Sequence, residues 1–214
     1  MSKTMADYYQ ARAPEFENVY EKPERQADLA KLRYWLAEEV REATALEIAC
    51  GTGYWTGVAA ATAKAIVATD FNLGPLEIAR SKGLGSHVVF AQADAYALPD
   101  YGPAFDAGMA HFWWSHVLVV DQQRWLAHFA SKLRPAAKLL MIDNTFVAGS
   151  MTAPSRTDAV GNTYQTRRLR DGSEYEIVKN FSTHAELRNA LERHFKAVKI
   201  LQLKYYWAVS AVVC

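Results

Sequence analysis

From residue 44 onward the chain alternates between two hydrophobic periods, and this alternation most narrows what it can fold into. Residues 45–50 (ALEIAC) form a short apolar run that stops at Gly51-Thr52-Gly53, as a buried strand feeding a tight turn does. A helical segment over about 55–63 follows, and then a second apolar run, 65–69, ending at Asp70. Gly74-Pro75 opens the next helix, with proline where its missing N–H has no partner to lose, and Gly83 closes it. Residues 87–92 (HVVFAQ) and 105–110 (FDAGMA) read as third and fourth strands. Between Asp121 and Leu133, Trp125, Phe129 and Leu133 recur every fourth residue, and Pro135 stops the helix before a fifth strand at 138–142 (KLLMI). Ahead of all this, Leu29, Leu32, Leu36 and Val40 make one helical stripe.

Beyond residue 145 the signals change. Residues 163–169 and 175–178 flank Asp171-Gly172, a strong hairpin signal. Thr183-His-Ala-Glu186 is a capping box that starts a last helix, with strands near 195–201 and 205–213. Strands alternating with helices predict an α/β fold with a doubly wound, mostly parallel seven-stranded sheet of Rossmann-like type, an added antiparallel hairpin and N-terminal lid helices. The 214 residues suit a single domain, divided into a helical lid (1–43), a core (44–145) and a substrate-side hairpin with C-terminal strands (146–214).

Composition limits the partners. With 24 Lys+Arg against 23 Asp+Glu the formal charge is +1, without the positive excess of a chain that binds mainly nucleic acid or an anionic membrane. Arg167, Arg168 and Arg170 form a short basic cluster, but Asp171, Glu174 and Glu176 follow at once and cancel much of its field. Cys50 and Cys214 make no disulfide framework or zinc pattern. No run of 18 apolar residues occurs, and the polar start of the chain does not read as a signal peptide; a cytoplasmic location is expected.

In an open α/β sheet ligands sit beyond the carboxyl ends of the strands. Gly51 and Gly53 after the first strand let the backbone approach a ligand closely. Asp70 after the second can accept hydrogen bonds from ribose hydroxyls, and Asp94-Ala95 after the third can meet an adenine. Three contacts to one adenosine thus fall at matching points of successive units. A nicotinamide-binding sheet is the rival reading of Gly51, Gly53 and Gly57.

The strings LEIACGTG (46–53), Asp70, AQADAYALP (91–99), FDAGMAHF (105–112) and LRPAAKLLMID (133–143) resemble the successive motifs of class I S-adenosylmethionine-dependent methyltransferases of small-molecule type. The resemblance covers roughly residues 40–145. It implies S-adenosyl-L-methionine as cofactor and S-adenosyl-L-homocysteine as product. Glu47, Ala49, Gly51 and Gly53 would line the methionine end, Asp70 would hold the ribose, Asp94 with Ala95 would hold the adenine with Phe71 on its face, and Tyr20, Trp55 and His111 would complete the cofactor site. Ala49 and Ala136-Ala137 stand where the commoner pattern has glycines.

Methyl transfer is an in-line displacement, so positioning dominates and a base is needed only when the acceptor must lose a proton. His111 and His116, after the fourth strand, are the candidate bases. Trp114, Asp143, Asn144 and Arg168 are candidate substrate contacts, and aromatic side chains nearby suit a flat or cationic substrate. Asp143-Asn144 would suit a magnesium site only with an acid at the end of the fourth strand, where Ala110-His111 stands; no metal is expected. The expected activity is methyl transfer to an oxygen or nitrogen of a small molecule by a monomer or homodimer. The alternatives are a protein or RNA acceptor, and a cofactor-binding regulatory module without turnover.

Overall fold

The computed structural model describes residues 4–102 and 104–214. In chain order the elements are α1 (Met5–Arg12), α2 (Gln26–Glu39), β1 (Thr44–Ile48), α3 (Tyr54–Ala60), β2 (Ala65–Asp70), α4 (Leu73–Ser81), β3 (Val88–Gln92), β4 (Phe105–His111), α5 (Gln122–Ala130), β5 (Leu133–Asn144), β6 (Arg156–Thr157), β7 (Thr163–Arg168), β8 (Glu174–Val178), α6 (His184–Leu191), β9 (Phe195–Gln202) and β10 (Tyr206–Val213). A 3₁₀ segment, Ala13–Tyr20, joins α1 to the rest.

Seven strands form one sheet in the order β3-β2-β1-β4-β5-β10-β9. β1 to β5 are parallel, and β10 and β9 add antiparallel neighbours. The chain builds outward from β1 through β2 to β3 and then returns to place β4 on the other side of β1. The strand order therefore reverses between β1 and β4, and their carboxyl ends open a crevice there.

Side-chain alternation along the strands divides the interior into two layers. Leu46, Ile48, Leu139 and Met141 face the layer of Trp125, Phe129, Leu187 and Leu191 from α5 and α6. Ala45, Ala107, Leu140 and Ile142 face Leu29, Leu32, Leu36 and Trp55 from α2 and α3. Apolar side chains pointing both ways explain why these strands read as continuous hydrophobic runs.

The hairpin expected around Asp171-Gly172 is β7 and β8, which with β6 make a separate three-stranded sheet, β6-β7-β8. The capping box of Thr183 and Glu186 starts α6. The largest boundary difference is at β5, which begins at Leu133, not near residue 138, so α5 ends at Ala130 and Leu133 and Pro135, expected to end the helix, lie in the strand. Its first residues cross a register shift opposite Phe105 and Ala107, with Ala136 in the left-handed region at φ 63, so the start carries no strand periodicity.

The α2 stripe packs without exposure to solvent. Leu36→Ala should lower the unfolding free energy by about 2–5 kcal/mol, through lost burial and the cavity left behind. Urea denaturation followed by circular dichroism checks this; a change below about 1 kcal/mol would show that the helix does not anchor the sheet.

Candidate active site

The loops at the strand ends are shaped by a few backbone decisions. Ala49 takes φ 49 and Gly51 φ 57 directly after β1, and Phe112 takes φ 57 directly after β4. Left-handed backbone at non-glycine residues is strained and clusters at functional sites. Asp70 fixes the two neighbouring loops: one carboxylate oxygen accepts the Gly51 amide at 2.9 Å, the other the Asn72 amide at 2.8 Å. The carboxylate keeps lone-pair capacity for a ligand. Burial raises the Asp70 pKa, against the amide bonds that lower it.

These loops enclose a cavity of about 290 Å³ lined by Ala49, Gly51, Asp70, Phe71, Asp94, Ala95 and His111, with Phe112 and Trp113. Seven residues predicted as cofactor contacts are thus brought to one space. A Cβ on Gly51 would meet nothing within 4 Å. Both imidazole nitrogens of His111 are buried without a hydrogen-bond partner among the described residues, and burial lowers its pKa to about 3. An orphaned polar side chain on a cavity wall is a ready contact for a ligand.

Other predicted residues stand behind this wall. Gly53 packs against Ala79 and Phe90 at the start of α3. Glu47 is buried under the loop, accepting the Thr56 hydroxyl at 2.6 Å. Trp55 is buried and donates to the Tyr20 hydroxyl at 3.1 Å.

The N-terminal segment closes over the crevice. Asn72 donates to the Ala6 carbonyl at 3.1 Å, the Gly74 amide to Gln10 at 3.1 Å, and the Thr52 hydroxyl to Glu17 at 2.6 Å. Tyr9 reaches His116 at 2.7 Å. On its other side the Nδ1 of His116 lies 2.6 Å from the Val178 carbonyl, which can only accept. Nδ1 therefore carries the hydrogen, and Nε2 accepts from the Tyr9 hydroxyl. Burial, with Lys179 nearby, lowers the His116 pKa to about 3.

A second cavity, about 120 Å³, opens beside the first. Tyr9, Phe16, Phe112 and His116 line both. Tyr20, Asn144, Ser150, Arg12, Arg25, Arg167 and Lys179 line the second and not the first. Of the predicted substrate contacts, Asn144 faces this space. Asp143 lies beneath it, buried and paired with Lys179 at 3.1 Å. Burial alone would raise the Asp143 pKa, but Lys179, His116 and two amides bring it below the ordinary value. Trp114 turns into the core and donates to Ser182 at 2.9 Å. Arg168 lines an outer hollow with Tyr8 and Arg170, which Arg12 and Arg167 border from the second cavity.

Arg167 and Lys179 were not singled out in the sequence as site residues. Strand alternation carried the signal for Arg167, since Gln165 and Arg167 share the inward face of β7 while Thr166 and Arg168 are exposed. Tyr175 and Lys179 have the Tyr-x-x-x-Lys spacing of a dehydrogenase proton-transfer pair. However, Tyr175 packs on Tyr8 in a different cluster, and Lys179 is buried on Asp143. No group of three or more His, Cys, Asp or Glu side chains comes together as a metal site among the described residues, and no described helix is long and apolar enough to cross a membrane.

A family of methyltransferase domains matches residues 45–136. The demethylmenaquinone methyltransferase of Clavibacter sepedonicus is 32% identical over 99 residues, covering 46% of this chain and 40% of that protein. The matched segment thus spans well under half of that relative's length. Two solved structures superpose over nearly the whole chain. The DhpI–SAH complex has TM-score 0.77 and 25% identity, over 96% of this chain and 93% of that one. The DhpI–SAM–HEP complex has TM-score 0.75 and 26% identity, over 95% and 94%.

Burial raises the Glu47 pKa to about 8, partly opposed by its bond from Thr56. The folded carboxyl keeps its proton where the unfolded one has lost it, so its stabilising contribution is complete below about pH 4.5 and lost as pH rises towards 8. Glu47→Gln should therefore be more stable relative to the parent at pH 8 than at pH 5.5; equal differences in urea midpoints would refute this.

Proposed function

We propose that this chain, a class I S-adenosylmethionine-dependent methyltransferase in its domain and fold, transfers a methyl group to an oxygen or nitrogen of a small molecule. The observation that carries this reading is the meeting of two cavities at Tyr9, Phe16, Phe112 and His116. A displacement reaction needs donor and acceptor compartments that touch at one opening.

S-adenosylmethionine, when bound, supplies an electrophilic methyl group on a sulfonium. Residues of the larger cavity suit it: Asp70 for ribose hydroxyls, Asp94, Ala95 and Phe71 for the adenine, Ala49, Gly51 and His111 for the methionine end. Residues 1–43 act as lid, 44–145 as cofactor core and 146–214 as acceptor side. Holding two reactants in attack geometry contributes up to about 7–11 kcal/mol.

His116 is the proposed base where the acceptor carries a proton. Its Nε2 lone pair lies at the junction, where the Tyr9 hydroxyl now meets it. An acceptor hydroxyl or amine that displaces Tyr9 donates to the same lone pair. The DhpI–SAM–HEP complex and the demethylmenaquinone methyltransferase are consistent with a small acceptor. A regulatory module without turnover is less well supported, because the compartment beside His116 is open: Trp114 points into the core, and Trp113 lies along the cofactor cavity wall.

Two outcomes test the reading. Gly51→Val places a branched side chain in the cofactor cavity at a left-handed backbone position, so calorimetric binding of S-adenosylhomocysteine should vanish while circular dichroism stays that of a folded chain. His116→Ala should lower kcat by about 10²–10⁴-fold with cofactor affinity retained. With its pKa lowered to about 3, the acid limb of kcat/KM should lie well below pH 6.5. A normal rate in His116→Ala would remove the base.

A further inference from the structure

The smaller cavity holds an unusual charge. Arg12, Lys22, Arg25, Arg167 and Lys179 all line it, from the end of α1, the turn before α2, strand β7 and the residue after β8. No carboxylate lines it among the described residues, and none of the five cations lines the cofactor cavity. One of them, Lys179, has a carboxylate at ion-pair distance, Asp143. The exposed Glu24 touches only the rim, through the Ser150 hydroxyl at 3.4 Å.

The remaining cations lean on neutral groups. Arg25 is 5% exposed, donates to the Ser150 carbonyl and hydroxyl at 3.0 Å each, and lies over the rings of Tyr205 and Tyr206. Arg167 donates to Thr152 at 3.1 Å and to Gln165 at 2.5 Å. Arg12 donates to the Tyr8 hydroxyl at 2.6 Å. Arg25 and Arg167 each keep a buried Nε–H with no acceptor. A buried donor without an acceptor is destabilising, and more so on a charged group. A protein retains such donors where a ligand supplies the oxygen.

From this we propose that the smaller cavity binds an acceptor bearing an acid group, a carboxylate or a phosphoryl oxyanion, held by the guanidinium groups of Arg25 and Arg167 with Lys179 beside them. The proposal rests on the methyltransferase reading for which compartment belongs to the acceptor. Guanidinium forks match the paired oxygens of either acid. The cofactor does not account for the charge: its tail has one carboxylate and its own ammonium, and would use at most one cation. The volume, about 120 Å³, suits a small acid. A cationic acceptor, which the aromatic residues suggested in the sequence, is repelled here.

Titration of the S-adenosylhomocysteine complex, followed by calorimetry, tests the proposal with inorganic phosphate and propionate as probes and propionamide and ethylammonium as neutral and cationic controls. Phosphate or propionate should bind and the controls should not. Arg25→Gln and Arg167→Gln should each weaken acid binding by about tenfold or more, with S-adenosylhomocysteine affinity within twofold of the parent, which also certifies folding. Methyl label from S-adenosylmethionine should pass into compounds of the anion-exchange-retained fraction of a metabolite extract. Acid binding unchanged in both variants, binding of the controls, or variants that lose S-adenosylhomocysteine and keep the acid would each overturn it. If the parent fails to bind S-adenosylhomocysteine, the methyltransferase reading falls; the same titrations on the cofactor-free protein then decide the acid site alone.

Discussion

A buried ion pair joins the two sheets, and the acceptor side of the molecule depends on it. Lys179 and Asp143 lie 3.1 Å apart at 4% and 1% exposure, with the Ser115 hydroxyl 2.6 Å from the ammonium and 3.0 Å from the carboxylate. Taking two charges out of water costs several kcal/mol per ion, which their attraction offsets only when the remaining hydrogen-bonding capacity is filled. Here the carboxylate is well supplied, because Asp143 also accepts the amides of Ser115 and Asn144, while the ammonium donates to Asp143 and the Ser115 hydroxyl and lines the smaller cavity. Around the pair, the Asn180 amide donates to the Ser115 carbonyl at 2.7 Å, the Asn180 side chain to Val117 at 3.0 Å, and His116 to Val178 at 2.6 Å. The small sheet shares no strand pairing with the large one, yet its last strand is stitched to the loop after β4. Arg167 and His116 are held at the same cavity by that seam.

The cofactor side is organised by a different principle. Its walls are strand ends with backbone bent into left-handed conformations at Ala49, Gly51 and Phe112, and its roof is the N-terminal segment, attached by polar contacts and by Phe16, Val19 and Tyr20 packed on the core. α1 and the 3₁₀ turn touch the core through Asn72, Gly74, Thr52 and His116, and touch the small sheet through Tyr8 against Tyr175.

The sequence exposed the cofactor side well. Each βα unit ends at the same edge of the sheet, so the position of a residue just past a strand locates it in space. Gly51, Asp70, Asp94 and His111 could be assigned to one crevice without coordinates for this reason. The acceptor side resisted. Tyr9 and His116 are 107 residues apart, and Lys179 meets Asp143 across 36. Nothing local distinguishes Arg167, which faces the cavity, from Arg168, which does not, except the phase of a strand on a second sheet. Trp114 looked like a substrate contact beside Trp113, but the turn after β4 sends one ring to the cofactor cavity wall and the other into the core.

What the amino-acid order determined by itself was everything governed by short-range periodicity: where strands and helices run, which turns need glycine, and hence the parallel sheet and its nucleoside-facing loops. Tertiary structure alone decided the chemistry of the second cavity. Five cations from four separate stretches of chain converge on about 120 Å³. Their charge becomes a property of the site only when the seam at Lys179 and Asp143 and the roof of Tyr9 bring those stretches together, because electrostatic character depends on distance and burial in space and not on separation along the chain.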